Sequence, residues 1–145
     1  MAVERTASAV WEGDLMGGSG TVSTQSGVLD NATVKWSSRA ERADENTSPE
    51  ELIAAAHATC VSMALAHGLA EAGNPPQRLE SEATGTFEQT PDGFRLTTMR
   101  LTIRGQVDGL DEEAFRQAAE GARENCPVSQ ALTGNVDISV DASLA

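Results

Sequence analysis

The stretch from Ser48 to Pro76 constrains the fold more than any other part of this chain. Ser48-Pro49-Glu50-Glu51 carries a helix start: Ser48 suits the N-cap, Pro49 the first helical position, and Glu51, three residues after the cap, closes a capping box. From Leu52 to Leu69 the apolar residues point in nearly every direction, the pattern of a helix buried all round rather than one with a single apolar stripe. Gly73-Asn74-Pro75-Pro76 ends it. In a chain of 145 residues a helix this apolar is expected to meet a second subunit as well as its own sheets.

The rest of the chain reads mainly as strands. Residues 2–12 and 19–24, parted by Gly13-Asp14 and Gly17-Gly18, suggest a first hairpin. Ala32, Val34 and Trp36 alternate with Thr33 and Lys35 as a strand with one buried face, and the polar residues 37–47 follow as a loop. Two further strands are expected near 79–88 and 94–107, joined by the turn Thr90-Pro91-Asp92-Gly93. Phe94 and Leu96 share one parity while Met99, Leu101, Ile103 and Val107 share the other, which predicts a bulge at Thr97-Thr98. Asp111-Glu112-Glu113 opens a helix towards Asn125, Cys126-Pro127 breaks it, and Val136, Ile138 and Val140 mark a last strand. This order predicts an α+β fold, with antiparallel sheets wrapped around a long central helix, as one domain over residues 1–145.

Charge narrows the partners. Ten basic against 22 acidic residues leave a formal charge of −12, which repels phosphate backbones and anionic lipid, so neither nucleic acid nor a membrane surface is expected to bind. The first residues lack a basic cluster followed by an apolar run, and no stretch approaches the ~18 apolar residues of a membrane span, so the protein reads as cytoplasmic. In that compartment a cysteine pair points to catalysis, redox sensing or metal binding rather than to a permanent staple.

Cys60 and Cys126 are the only cysteines, and their spacing leaves open whether they meet. Each could be a small buried hydrophobe. His57, Cys60 and His67 share one helical stripe, so His57 could lower the thiol pKa as a cationic neighbour, or simply be a helix histidine bonded to backbone. Cys60, Cys126, His57 and His67 have the right types for zinc but no CxxC or HxxxH spacing. No GxSxG, P-loop or dinucleotide fingerprint is present, since GGSG at 17–20 lacks the spacing and a following helix.

SPEELIAAAHATCVSMALA at 48–66 closely resembles the signature segment of the OsmC/Ohr family of hydroperoxide-reducing proteins, and NCPVSQAL at 125–132 resembles the segment carrying that family's second cysteine. WEGDLMGGSGTVSTQSGVL at 11–29 is similar to the amino-terminal region of its OsmC branch. The resemblance implies an intertwined homodimer and a peroxidase that reduces hydroperoxides, organic ones above all and hydrogen peroxide as a second candidate, in oxidative or osmotic stress defence. It implies Cys60 as the peroxidatic cysteine, Cys126 as the resolving one joined to it in a disulfide, and Arg39 and Glu50 as the pair that activates Cys60. Arg39 precedes the signature helix, as in OsmC-type members, whereas Met16-Gly17-Gly18-Ser19-Gly20 holds no arginine where Ohr-type members have theirs. Ala40 follows it where the family usually has an aromatic residue. No metal, flavin or haem cofactor is implied, and the reductant would be a dithiol, either a lipoylated protein or a small thiol. The alternative is a thiol redox sensor or structural stress protein that oxidises once without turnover.

Physical chemistry sets what such a site requires. Only the thiolate attacks peroxide, and an apolar helix raises a thiol pKa, so a cation must offset burial. Arg39 can meet sulfur and a peroxide oxygen together with its planar fork, with Glu50 holding that fork in place. Without the resemblance, Arg39 could be a solvated loop charge and Glu50 a partner of the helix dipole. Glu50 and Cys60 on one straight helix stand about 15 Å apart along its axis. Either the helix breaks near Ala54–Ala56, or the arginine and glutamate reach Cys60 from the other subunit, which is the favoured expectation. Leu52, Ile53, Val61, Met63 and Leu65 could line a pocket for an alkyl group.

Overall fold

Short antiparallel strands organise the amino-terminal unit. In the computed structural model, which describes residues 1–145, the chain forms two compact units, Met1–Leu52 and Ile53–Ala145. In the first, β1 (Ala7–Glu12), β2 (Ser19–Thr24) and β3 (Ala32–Val34) pair antiparallel in the order β1-β2-β3.

Strand β3 stops at Val34, and Trp36, expected to continue it, instead opens a short helix α1 (Trp36–Ala40). Parity alone allowed Trp36 to stay in the strand. Contacts beyond the strand decide otherwise: Asp44 accepts from the Ser38 hydroxyl at 2.9 Å and from the Asn46 backbone N–H at 2.9 Å, folding the following residues back on the new helix. A parallel bridge between Val34 and Thr47 then returns the chain to the sheet.

Helix α2 (Pro49–Glu71) begins where the cap signal predicts. Ser48 Oγ accepts from the Glu51 N–H at 3.1 Å, but the Glu51 carboxylate takes the Thr47 hydroxyl at 3.0 Å rather than closing the box on Ser48. At the other end the Asn74 N–H reaches the Leu69 carbonyl at 2.8 Å and the Gly73 N–H reaches Ala70 at 3.0 Å. This closure needs a left-handed residue, which Gly73 supplies at φ 88° without a Cβ penalty. All 23 residues are helical, so the break considered near Ala54–Ala56 is absent.

By length and composition α2 could cross a membrane, with a mean hydropathy of 1.5, contrary to the expectation that no stretch comes close. Its placement is that of a core helix. His57, Val61, Leu65 and Leu69, spaced four apart on one face, are buried in the core of the second unit, while Ala55, Ala56, Thr59 and Met63 are exposed. In this chain, therefore, the helix is not buried all round.

The second unit is built on β4 (Arg78–Thr90), β5 (Gly93–Gln106) and β6 (Asp137–Leu144), in the order β4-β5-β6. The register between β4 and β5 shifts so that Thr86 faces Thr98 and Phe87 faces Leu96, leaving Thr97 as the extra residue of the expected bulge. That single insertion puts both apolar runs of β5 in phase with the sheet, and it brings Phe87 and Phe94 into a stack at 5.4 Å between ring centroids.

Strand β6 joins β5 in parallel, which departs from the all-antiparallel expectation. The physical reason is the connection, since two helices, α3 (Glu112–Asn125) and the unforeseen α4 (Pro127–Leu132), lie between β5 and β6 and let the chain cross back over the sheet. Asp111 caps α3, its carboxylate accepting the Ala114 N–H at 2.8 Å.

Val61, Leu65 and Leu69 of α2, Phe115, Ala119 and Ala122 of α3, and Met99, Leu101 and Ile103 of β5 form one core, each large aliphatic contributing about 1.5–3 kcal/mol by burial. Gly105 makes room for it. A Cβ there would lie 2.5 Å from the Phe115 ring.

Candidate active site

Cys60 sits on α2 one turn from His57, and Cys126 occupies the joint between α3 and α4. Pro127 dictates that joint: it keeps Cys126 out of helical geometry, at φ −62° and ψ 123°, and starts α4 itself. The kink leaves the buried Cys126 beside the partly buried Cys60, near enough for each free thiol to perturb the other. Two cysteines far apart in sequence are thus brought together by tertiary structure.

Their environments differ. Burial pushes the Cys60 thiol up, and the neighbouring Cys126 thiol pushes it further, against a smaller opposing effect from the Val128 backbone. Burial also pushes Cys126 up, but the Cys60 thiol, the Ser129 backbone and hydroxyl and the Val128 backbone together outweigh it, leaving Cys126 below the ordinary cysteine value.

His57 does not serve Cys60 as a cation. The ring is fully buried, burial pushes its pKa down and keeps it neutral, and Nε2 lies 2.7 Å from the Ser129 hydroxyl. The bonded partner is a side chain on α4, not the helix backbone considered as the other possibility. His67 is exposed on the same helix, and no three His, Cys, Asp or Glu side chains converge as a metal-binding group.

Arg39 and Glu50 meet in the amino-terminal unit. Helix α1 presents the guanidinium, and the first turn of α2 presents the carboxylate. Arg39 Nε donates to both Glu50 oxygens at 3.1 Å, and its terminal nitrogen donates to one at 2.9 Å. Glu50 is almost buried, so this fork-to-carboxylate pairing fixes the guanidinium plane more firmly than an exposed pair would.

The Arg39 side chain also borders a cavity of about 400 Å³ whose walls are mainly apolar, among them Trp11, Leu15, Val22, Trp36 and Leu52. Of the wall residues expected from sequence, Leu52 alone lines this cavity. Val61 and Leu65 are consumed by the core, Ile53 packs against that core, and Met63 is exposed. The aromatic lining comes from Trp11 and Trp36, on different elements, rather than from the position after Arg39.

Sequence reasoning missed Ser129. Its signal was nevertheless legible in Cys126-Pro127-Val128-Ser129: a proline at the first position of a helix places a serine two residues later back over the residue before the proline.

An α+β fold that sets a buried thiol at a helix joint beside a partly buried thiol on the long helix defines a dithiol protein. Residues 42–141 match the family model described as OsmC-like protein, and the chain belongs to that family. It is 39% identical over 138 residues to peroxiredoxin OsmC of Escherichia coli (strain K12), spanning 95% of this chain and 96% of that protein. It is 29% identical over 126 residues to organic hydroperoxide resistance protein OhrB of Bacillus subtilis (strain 168), spanning 86% and 90%. The crystal structure of an organic hydroperoxide resistance protein from Elizabethkingia anophelis superposes with a TM-score of 0.79 at 26% identity over 100% of both chains.

Proposed function

We propose that this protein is a cysteine-based peroxidase that reduces organic hydroperoxides, and hydrogen peroxide with them. The observation that carries this reading is the nearness of the Cys60 and Cys126 thiols, because a peroxidase that ends each turnover in a disulfide needs a second thiol beside the first. Membership of the OsmC-like family and the names of its relatives support it.

The Cys60 thiolate attacks one oxygen of the peroxide, the O–O bond breaks, and the departing alkoxide takes a proton to leave as alcohol. Cys60 is oxidised to a sulfenic acid. The Cys126 thiolate then attacks the Cys60 sulfur, an S–S bond forms, and hydroxide leaves and is protonated to water. An external dithiol, such as a lipoylated protein, reduces the disulfide by thiol exchange and becomes a disulfide itself.

Burial of Cys60 calls for a cation, and Arg39 held by Glu50 is the candidate. The unbroken α2 has a consequence here: ten residues of α-helix span about 15 Å, too far for Glu50 and the Cys60 of its own chain to share a site. In this reading Arg39 and Glu50 act on Cys60 of a second copy in a homodimer. The exposed Ala55, Ala56 and Met63 of α2 supply apolar surface for such pairing, and the cavity beside Arg39 takes the alkyl group. One OsmC-like domain over residues 1–145, built from the two compact units, and a cytoplasmic location belong to the same reading.

Peroxide consumption with a dithiol reductant tests it in the parent protein, Cys60→Ser and Cys126→Ser. Cys60→Ser is expected to be inactive, and Cys126→Ser to consume about one equivalent before stalling as a sulfenic or over-oxidised acid. An active Cys60→Ser protein overturns the assignment. A parent protein that stops after one equivalent with dithiol in excess is a sensor instead.

A further inference from the structure

Behind the thiol pair lies a buried polar chain that the peroxidase chemistry just described does not use. His57 is fully buried, its Nε2 lies 2.7 Å from Ser129 Oγ, and Ser129, itself only 2% exposed, stands in the first turn of the helix that Cys126 caps, with its hydroxyl beside the Cys126 thiol. The second ring nitrogen of His57, Nδ1, is sealed in the core without any partner.

Counting protons fixes the direction of this chain. A serine hydroxyl has one proton to give and lone pairs to receive with. If Ser129 gives its proton to the Cys126 sulfur, its oxygen can only accept from His57, so the imidazole proton must sit on Nε2. Nδ1 is then a bare lone pair, a more tolerable orphan than a buried N–H. The reverse arrangement would strand an N–H donor in the core and turn the hydroxyl proton away from sulfur.

We propose that neutral His57, donating from Nε2, holds the Ser129 hydroxyl with its proton on the Cys126 sulfur, making His57 and Ser129 positioning residues for the resolving thiol. They act on disulfide closure and not on the attack on peroxide. This role rests on the peroxidase reading of Cys60 and Cys126. Burial of His57 supports it by keeping the ring neutral, so that no proton appears on Nδ1.

The consequence is a division between two steps. A thiolate at Cys126 attacks the Cys60 sulfenic sulfur directly, whereas a Cys126 thiol must first lose its proton. Removing the Ser129 hydroxyl or the His57 donor should therefore slow closure and leave formation of the sulfenic acid unchanged.

Single-turnover experiments follow sulfenic acid formation by dimedone trapping and disulfide formation by quenching with an alkylating agent, in the parent, Ser129→Ala, His57→Leu and His57→Gln. Ser129→Ala and His57→Leu are expected to slow closure by about threefold, since a rise of one pKa unit at Cys126 cuts its thiolate tenfold while making the remainder more nucleophilic, with the first step unchanged. His57→Gln, which keeps an N–H donor, should recover most of the closure rate. Unchanged closure in Ser129→Ala, or both steps slowed alike in Ser129→Ala and His57→Gln, overturns the proposal. Should His57→Leu fail to fold, Ser129→Ala and His57→Gln decide.

A second readout needs no peroxide chemistry. In a Cys60→Ser background, thiolate ultraviolet absorbance titrates Cys126 alone, and Ser129→Ala should raise its apparent pKa by about one unit. No shift overturns the positioning role whatever the protein reduces. A shift in a protein that forms no sulfenic acid leaves the positioning role intact and overturns the peroxidase reading alone.

Discussion

The Arg39 guanidinium grips the Glu50 carboxylate through contacts of 2.9 to 3.1 Å, joining a five-residue helix to the first turn of a 23-residue one. Two oxygens on the Nε edge stop the guanidinium from rotating, and the cavity beside it is walled mainly by apolar side chains.

Replacing that fork by a point charge should therefore be costly. Arg39→Lys is expected to lower kcat/KM for an organic hydroperoxide by roughly 100-fold, and Glu50→Gln, which leaves the cation but loosens its plane, by about tenfold. Steady-state rates with a dithiol reductant measure both. Arg39→Lys at the parent rate would refute the role given to the guanidinium.

If Arg39 serves the Cys60 of a second copy, two inactive variants should rescue each other. Mixing Arg39→Ala with Cys60→Ser and allowing subunits to exchange places one intact site in each mixed dimer, so activity should return to about a quarter of the parent's. Activity that stays at the level of the separate variants would show that both residues must lie in the same chain, or that the chains do not pair.

His57 gives stability a pH dependence whose sign follows from burial. Its pKa in the folded protein is lowered from the ordinary value of 6.5, so the unfolded chain binds the proton more readily. The contribution is fully present above that ordinary value and is lost as pH falls from there through the lower folded-state pKa. The urea midpoint should fall with pH across that interval in the parent and fall less in His57→Gln. Equal slopes would mean that His57 is not the titrating group.

Gly105 has no room for a side chain beneath Phe115. Gly105→Ala should cost about 1–3 kcal/mol through overpacking, read as a lower urea midpoint, and Phe115→Leu in the same chain should return part of it. A Gly105→Ala protein as stable as the parent would mean that the ring moves aside freely.

Where the chain needs only its neighbours, its sequence was enough. Ser48-Pro49 and Gly73-Asn74 mark the ends of α2 because caps are local hydrogen bonds, and the parity change between Leu96 and Met99 announces the bulge at Thr97 because strand faces alternate by two. The same locality explains the failures. Trp36 kept strand parity yet began a helix, since what fixes it is a clasp through Asp44. Ile138 and Val140 marked a strand but said nothing of its direction, which depends on where α3 and α4 deliver the chain.

The candidate site divides along the same line. Cys60, Cys126, Arg39 and Glu50 are picked out in the sequence by the resemblance of the segments around them to the OsmC/Ohr family. Only the tertiary structure decided that Cys60 lies beside Cys126, that Arg39 grips Glu50 and that His57 turns to Ser129 and away from the role of cation. Periodicity tells which face a residue occupies, while the partner of that face is set by how elements distant in sequence pack against one another. A histidine whose value to the protein lies in one buried hydrogen bond 72 positions away carries no local mark of it.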